Sequence, residues 1–81
     1  MNPNITLRQL RAFLAVTEHG SFTKAAAVLN ITQSALTTAV KNLETEVGLR
    51  LFDRTTRQVE PTAYGRQFAT LARRFTEDLE R

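Results

Sequence analysis

Thr32, Gln33, Ser34, Thr37, Thr38 and Lys41 place short hydrogen-bonding side chains and one cation on the first turns of a helical pattern. Such side chains suit the base edges of a DNA duplex. A glutamine can address adenine bidentately, and serine or threonine can reach a polar edge or a thymine methyl. Lys41, two turns in, better suits a phosphate or a guanine. The plain alternative is a solvated helix face. Residues 19 to 43 contain no acid, whereas a solvated face usually mixes both charge signs, and this favours DNA. A second group, Arg54, Thr56 and Arg57, falls in a polar stretch between two short apolar ones. It could lie over phosphates or enter a minor groove. A tight turn would select polar residues anyway, and Arg54 could instead pair with Asp53 or cover the edge of the core.

Other chemistries find little support. Glu44 and Glu46 are two residues apart, about 200° around a helix, and unsuited to paired acid–base work. Ser34 has no nearby histidine, Ser21 has only the lone His19 two residues before it, and no glycine-rich phosphate loop occurs. With no cysteine there is no disulfide framework, thiolate site or thiol nucleophile. The single His19 makes no metal cluster with its neighbours and reads as a C-terminal helix residue meeting the dipole. Neither a cofactor, a metal nor a catalytic residue is expected, and the chain does not read as an enzyme.

The elements that must position these side chains follow from the hydrophobic pattern. Eighty-one residues allow one domain, with roughly 40% of the unfolded-state surface still exposed after folding. A first helix is expected from about Thr6 to His19. Thr6 and Gln9 have capping-box spacing, Ile5 and Leu10 staple spacing, and Leu7, Leu10, Phe13, Leu14 and Thr17 share a face. A short second helix starts at Ser21 and turns Phe22, Ala25, Ala26 and Leu29 inward. Thr32 caps a third, in which Leu36, Val40, Leu43 and Val47 lie within about 60° of one another. Gly20, Asn30 and Gly48 follow these segments as helix stops. A short helix, a three-residue turn and a polar-faced helix match the helix-turn-helix arrangement. Next, 49–53 and 58–60 read as a small hairpin, with Pro61 demoting its end to an edge.

Thr62 caps a fourth helix running to the chain end, about 30 Å long if fully helical. Tyr64, Phe68, Leu71, Phe75 and Leu79 form a stripe close to a heptad seam. The stripe could fold back onto the core or pair with a second copy. Five large apolar side chains exceed what so small a core needs, and this favours a dimer, which suits two DNA half-sites. Gly65, costing about 1 kcal/mol relative to alanine in a helix, is explicable by close packing.

Charge points the same way. The net charge is +3, but the last five residues hold three acids and one base, so residues 1–76 carry ten bases and five acids. The body is basic and the distal tip acidic. The longest apolar run, 25–29, is far below the roughly 20 residues of a membrane span. No basic-then-apolar leader opens the chain, and a cytoplasmic location is expected.

Taken in order, these blocks resemble the N-terminal domain of LysR-type transcriptional regulators. The resemblance rests on 10–13 with 20–26, then 29–36, then Leu43 and Glu44 with 48–54, and last 62–65. It implies a mainly α fold: a winged helix-turn-helix over 1–61, with a three-helix core and a small β-hairpin wing, then a long linker helix over 62–81 that dimerises. By resemblance, Thr32, Gln33, Ser34, Thr37, Thr38 and Lys41 face DNA, Arg54, Thr56 and Arg57 supply wing contacts, and the 64–79 stripe is the dimer seam. Family members usually continue into an effector-binding domain, which this chain does not contain, so a small-molecule effector is expected only through that part. There are three departures. Thr38 stands where a basic or larger polar residue is frequent, Ser34 where proline is, and Pro61 where leucine is common.

The expected function is therefore sequence-specific binding of double-stranded DNA at an interrupted dyad. The recognition helix, about 32–47, would enter the major groove, and the wing, about 50–60, would touch backbone or minor groove. The alternative is a helical protein-interaction module that docks a partner on the 64–79 stripe.

Overall fold

A computed structural model describes residues 4–54 and 59–79. Its elements run α1 (Leu7–His19), α2 (Phe22–Leu29), α3 (Gln33–Val47), β1 (Phe52–Asp53), β2 (Glu60–Pro61) and α4 (Ala63–Leu79). The local signals take the form their spacing predicts. The Thr6 hydroxyl oxygen accepts from Gln9 N at 3.1 Å, while Gln9 Oε1 accepts from Thr6 N at 3.0 Å, completing a capping box. Ser21 accepts from Lys24 N and Thr32 from Ala35 N, at 3.2 and 3.0 Å. Asn30, which ends α2, is left-handed with φ 58°, a conformation that asparagine tolerates better than most side chains.

Helix α1 is the centre of the molecule and packs against α2, α3 and α4. That position buries more of it than one stripe. Ala12, Ala15 and Val16 join Leu10 and Phe13 in the interior, while Leu7, Leu14 and Thr17 stay half-buried. The Phe13 ring lies 5.3 Å from Phe52 and 5.4 Å from Phe68, tilted to the first and edge-on to the second. Phe22 closes on the far side of Phe52 at 6.1 Å. Such aromatic pairs are worth about 0.5–1.5 kcal/mol each beyond their buried area. The core thus joins α1, the base of the hairpin and α4 through one line of rings. Leu36, Val40 and Leu43 supply the α3 side, with Val47 half-buried at the end.

The hairpin is shorter than its pattern suggests. The strands hold two residues each, antiparallel, with Phe52 opposite Pro61 and Asp53 opposite Glu60. Pro61 sits in the second strand, tolerable because a two-stranded ribbon is all edge. The polar link 55–58 lies outside the described residues.

Helix α4 buries a face of small residues rather than most of its large stripe. Gly65, Ala69, Ala72 and Thr76 turn inward, and of the large stripe only Phe68 packs against the core. Tyr64, Leu71, Phe75 and Leu79 remain 54%, 59%, 40% and 56% exposed. Small residues bring the α4 backbone close to its support, and Gly65 shows how close. A Cβ there would fall on the Leu51 carbonyl oxygen and 3.3 Å from Pro61 Cβ. The same junction is tied by Thr62, whose N–H donates to Leu51 O at 3.0 Å and whose hydroxyl donates to Arg50 O at 2.7 Å. The Thr62 oxygen also accepts from Gly65 N at 3.0 Å, capping α4.

Candidate nucleic-acid interface

Helix α3 keeps its apolar residues on α1 and turns the opposite side outward. Thr32, Gln33, Ser34, Thr38 and Lys41 are exposed and Thr37 is half-buried, so these residues share one accessible face. Thr32 spends its oxygen on the cap, accepting from Ala35 N, and fixes where the helix begins. Gln33 is held from the side: the Thr23 hydroxyl of α2 donates to Gln33 Oε1 at 3.1 Å. Ser34 and Thr38 border an open recess whose other wall is the first turn of α1, where Arg8 stands. Lys41 borders a second recess, shared with Glu44, Arg50 and Arg54. The face therefore carries neutral donors and acceptors along its middle and basic side chains at both ends.

Arg54, expected either as a wing contact or as a partner of Asp53 or cover for the core edge, stands beside Glu44. Its Nη2 lies 2.9 Å from Glu44 Oε1, and its Cζ stands 5.5 Å from the centre of the Phe22 ring. The side chain is 25% exposed. Residue 54 directly follows β1, where the chain leaves the two-residue ladder, and its side chain reaches back to Glu44 of α3. Thr56 and Arg57, the other expected wing contacts, lie outside the described residues.

Glu44 organises this corner. It is 8% exposed, and Oε2 accepts from Leu51 N at 2.7 Å and Phe52 N at 3.3 Å while Oε1 accepts from Arg54. The Arg50 guanidinium, 67% exposed, stands 3.9 Å from the same carboxylate. Two backbone donors and a guanidinium offset the cost of burying this charge, and they tie α3 to the strand that starts the wing. Sequence reasoning weighed Glu44 only against Glu46 and missed this role. A usable signal was present, since Glu44 is next to the core residue Leu43 and precedes arginines at 50 and 54. Thr23, Arg8 and Arg50 were also missed, because only the packing of α1, α2 and the hairpin against α3 brings them to its polar face.

Among the described residues no group of three or more His, Cys, Asp or Glu could hold a metal ion. No helix among them is long and apolar enough to cross a membrane.

This framework has known counterparts. The family model described as bacterial regulatory helix-turn-helix protein, lysR family, matches residues 7–66. The chain belongs to the LysR family. Among curated LysR-family relatives, the SDS degradation transcriptional activation protein of a Pseudomonas species is 48% identical over 71 residues, covering 88% of this chain and 23% of the relative. The RuBisCO operon transcriptional regulator of Allochromatium vinosum is 42% identical over 76 residues, covering 94% and 25%. The chain thus spans about a quarter of the length of these relatives. Among solved structures, the BenM DNA-binding domain in complex with benA site 1 DNA is 41% identical with a TM-score of 0.89, over 93% of this chain and 84% of that one. Vibrio fischeri DarR in complex with DNA is 32% identical with a TM-score of 0.92, over 95% and 26%. The expected winged-helix architecture is the one found. Within this LysR-family domain the three departures are structurally quiet: Ser34 and Thr38 are exposed on α3, and Pro61 is half-buried at the hairpin edge.

Proposed function

We propose that this chain reads double-stranded DNA in a sequence-specific way, as the DNA-reading domain of a LysR-type transcriptional regulator. The observation that carries the proposal is the exposed, acid-free N-terminal face of α3, on a scaffold shared with relatives solved on DNA. A helix of this diameter fits the major groove. Gln33, Ser34, Thr37 and Thr38 then meet base edges, while Lys41 and the exposed Arg50 are the cations that suit phosphates. Arg54 acts from behind, holding the start of the wing loop to Glu44. Thr56 and Arg57 are the proposed wing contacts.

Dimerisation through α4 belongs to the same proposal. Four large apolar side chains left outside on one helix form a self-complementary strip, and a second copy would cover it. The pair would present two α3 helices to an interrupted dyad, with α4 setting their separation. Small-molecule control, in this reading, resides in the remainder of a longer regulator working in the cytoplasm.

Selection from a random pool of DNA duplexes tests the proposal. An enriched site with dyad symmetry and a fixed spacing is expected. Recovery of unrelated sequences, with no enrichment over the starting pool, would refute it.

A further inference from the structure

We propose that Thr23 is a positioning residue for Gln33, and that this pair selects the kind of base edge α3 reads. The inference rests on the DNA-reading proposal above. Thr23 lies in the first turn of α2 and Gln33 is the first residue of α3. Their bond, from the Thr23 hydroxyl to Gln33 Oε1 at 3.1 Å, therefore joins two helices rather than neighbours in one turn. Both attachment points are held, because Ser21 caps the start of α2 and Thr32 the start of α3.

A glutamine amide has a carbonyl oxygen that accepts and an NH2 group with two donors. With Oε1 turned toward the Thr23 hydroxyl, the group left facing outward is Nε2. In the major groove guanine presents two acceptors, O6 and N7, and thymine presents O4, whereas the adenine N7 acceptor stands beside the N6 donor. Bidentate reading of adenine instead needs the carbonyl oxygen turned to N6 while the NH2 meets N7. The tether thus directs Gln33 toward guanine or thymine and away from the adenine pairing that its residue type alone suggests. An untethered amide samples every rotation, whereas this one is held beside Thr23 before DNA arrives, which lowers the ordering cost of binding. Because a hydroxyl also accepts, the flipped amide that reads adenine bidentately is the competing arrangement the test distinguishes. Between two exposed groups in water such a bond adds little to stability. Its effect falls on discrimination, where a misdirected donor would be left unpaired in the complex.

The test uses the 81-residue chain and the duplex it selects from random DNA. The base pair no longer discriminated by Gln33→Ala marks the position that Gln33 reads, and guanine or thymine is expected there. Thr23→Val, which keeps the shape and removes the hydroxyl, should lower discrimination at that base pair roughly three- to tenfold, with other positions unchanged. Thr23→Ser should retain it. In the Gln33→Ala background, Thr23→Val should have no further effect. Should the valine variant fail to fold by circular dichroism, Thr23→Ala is read in the same assay. Adenine paired bidentately at that position, parental discrimination without the hydroxyl, or an equal loss in the Gln33→Ala background would each overturn the pairing alone. A parent chain that enriches no sequence would overturn the DNA reading and this inference with it.

Discussion

Glu44, buried near the end of α3, accepts the backbone N–H of Leu51 at 2.7 Å. One carboxylate thereby fixes the helix that carries the polar face against the strand that begins the wing. Arg54 completes the arrangement from the other side of the same carboxylate at 2.9 Å.

Replacing Glu44 by alanine should therefore cost more than a surface change. Two backbone donors and Arg54 would lose their acceptor, and removing one partner of a buried ion pair typically costs about 3–5 kcal/mol. In urea unfolding the midpoint should fall sharply, and Glu44→Gln, which keeps one acceptor oxygen, should fall less. A Glu44→Ala loss of under about 0.5 kcal/mol, the range of ordinary surface substitutions, would remove Glu44 from the structural framework.

Arg54 and Lys41 should separate in their effects. Lys41→Ala should weaken binding to all sequences alike and flatten the dependence of log K on log salt by about one unit if it meets a phosphate. Arg54→Ala should lower stability while leaving that slope near the parent's. Titrations of both variants across a salt series, alongside their unfolding curves, check this. The reverse pattern would return Arg54 to the DNA contacts.

Gly65→Ala offers a prediction of sign. Inside a helix the change ordinarily stabilises by about 1 kcal/mol. Here the new methyl meets the Leu51 carbonyl oxygen, and overpacking of that kind costs about 1–3 kcal/mol. A lower melting temperature is expected; a higher one would show that the junction can open at little cost.

On α4, neighbouring aromatic residues should behave differently. Phe75, 40% exposed, lies on the outer strip, so Phe75→Asp should yield a folded monomer. Phe68, edge-on to Phe13 at 5.4 Å, belongs to the core, and Phe68→Ala should cost about 3 kcal/mol. Sedimentation for the first and denaturant unfolding for the second decide between them. An unchanged dimer in Phe75→Asp would place the seam elsewhere.

Simultaneous change of Gln33 and Thr37 to alanine should remove sequence preference while leaving dimerisation intact. Competition between the selected duplex and unrelated DNA measures the first, and sedimentation the second. Retained preference would move the reading surface off the start of α3.

Much of this was legible along the chain, because the determining interactions are local. The box of Thr6 and Gln9, the caps at Ser21 and Thr32, and the stops at Gly20, Asn30 and Gly48 each act within about one helical turn. Residue order alone therefore determined where the first three helices begin and end and which side of α3 stays polar. The apolar pattern also marked the hairpin and the fourth helix, and the family resemblance cast them as a wing and a linker helix. Tertiary structure decided what needed distant partners. Arg54 became a brace because the chain returns it to Glu44, ten residues earlier in sequence. Gly65 became obligatory because α4 meets the backbone of Leu51. The large stripe of α4 was divided, with Phe68 going inward and its neighbours outward, because the close approach allowed by Gly65, Ala69 and Ala72 set the rotation of that helix. A hydrophobic pattern shows that a helix has a face to cover, but which part the core covers depends on how near the helix axis can come.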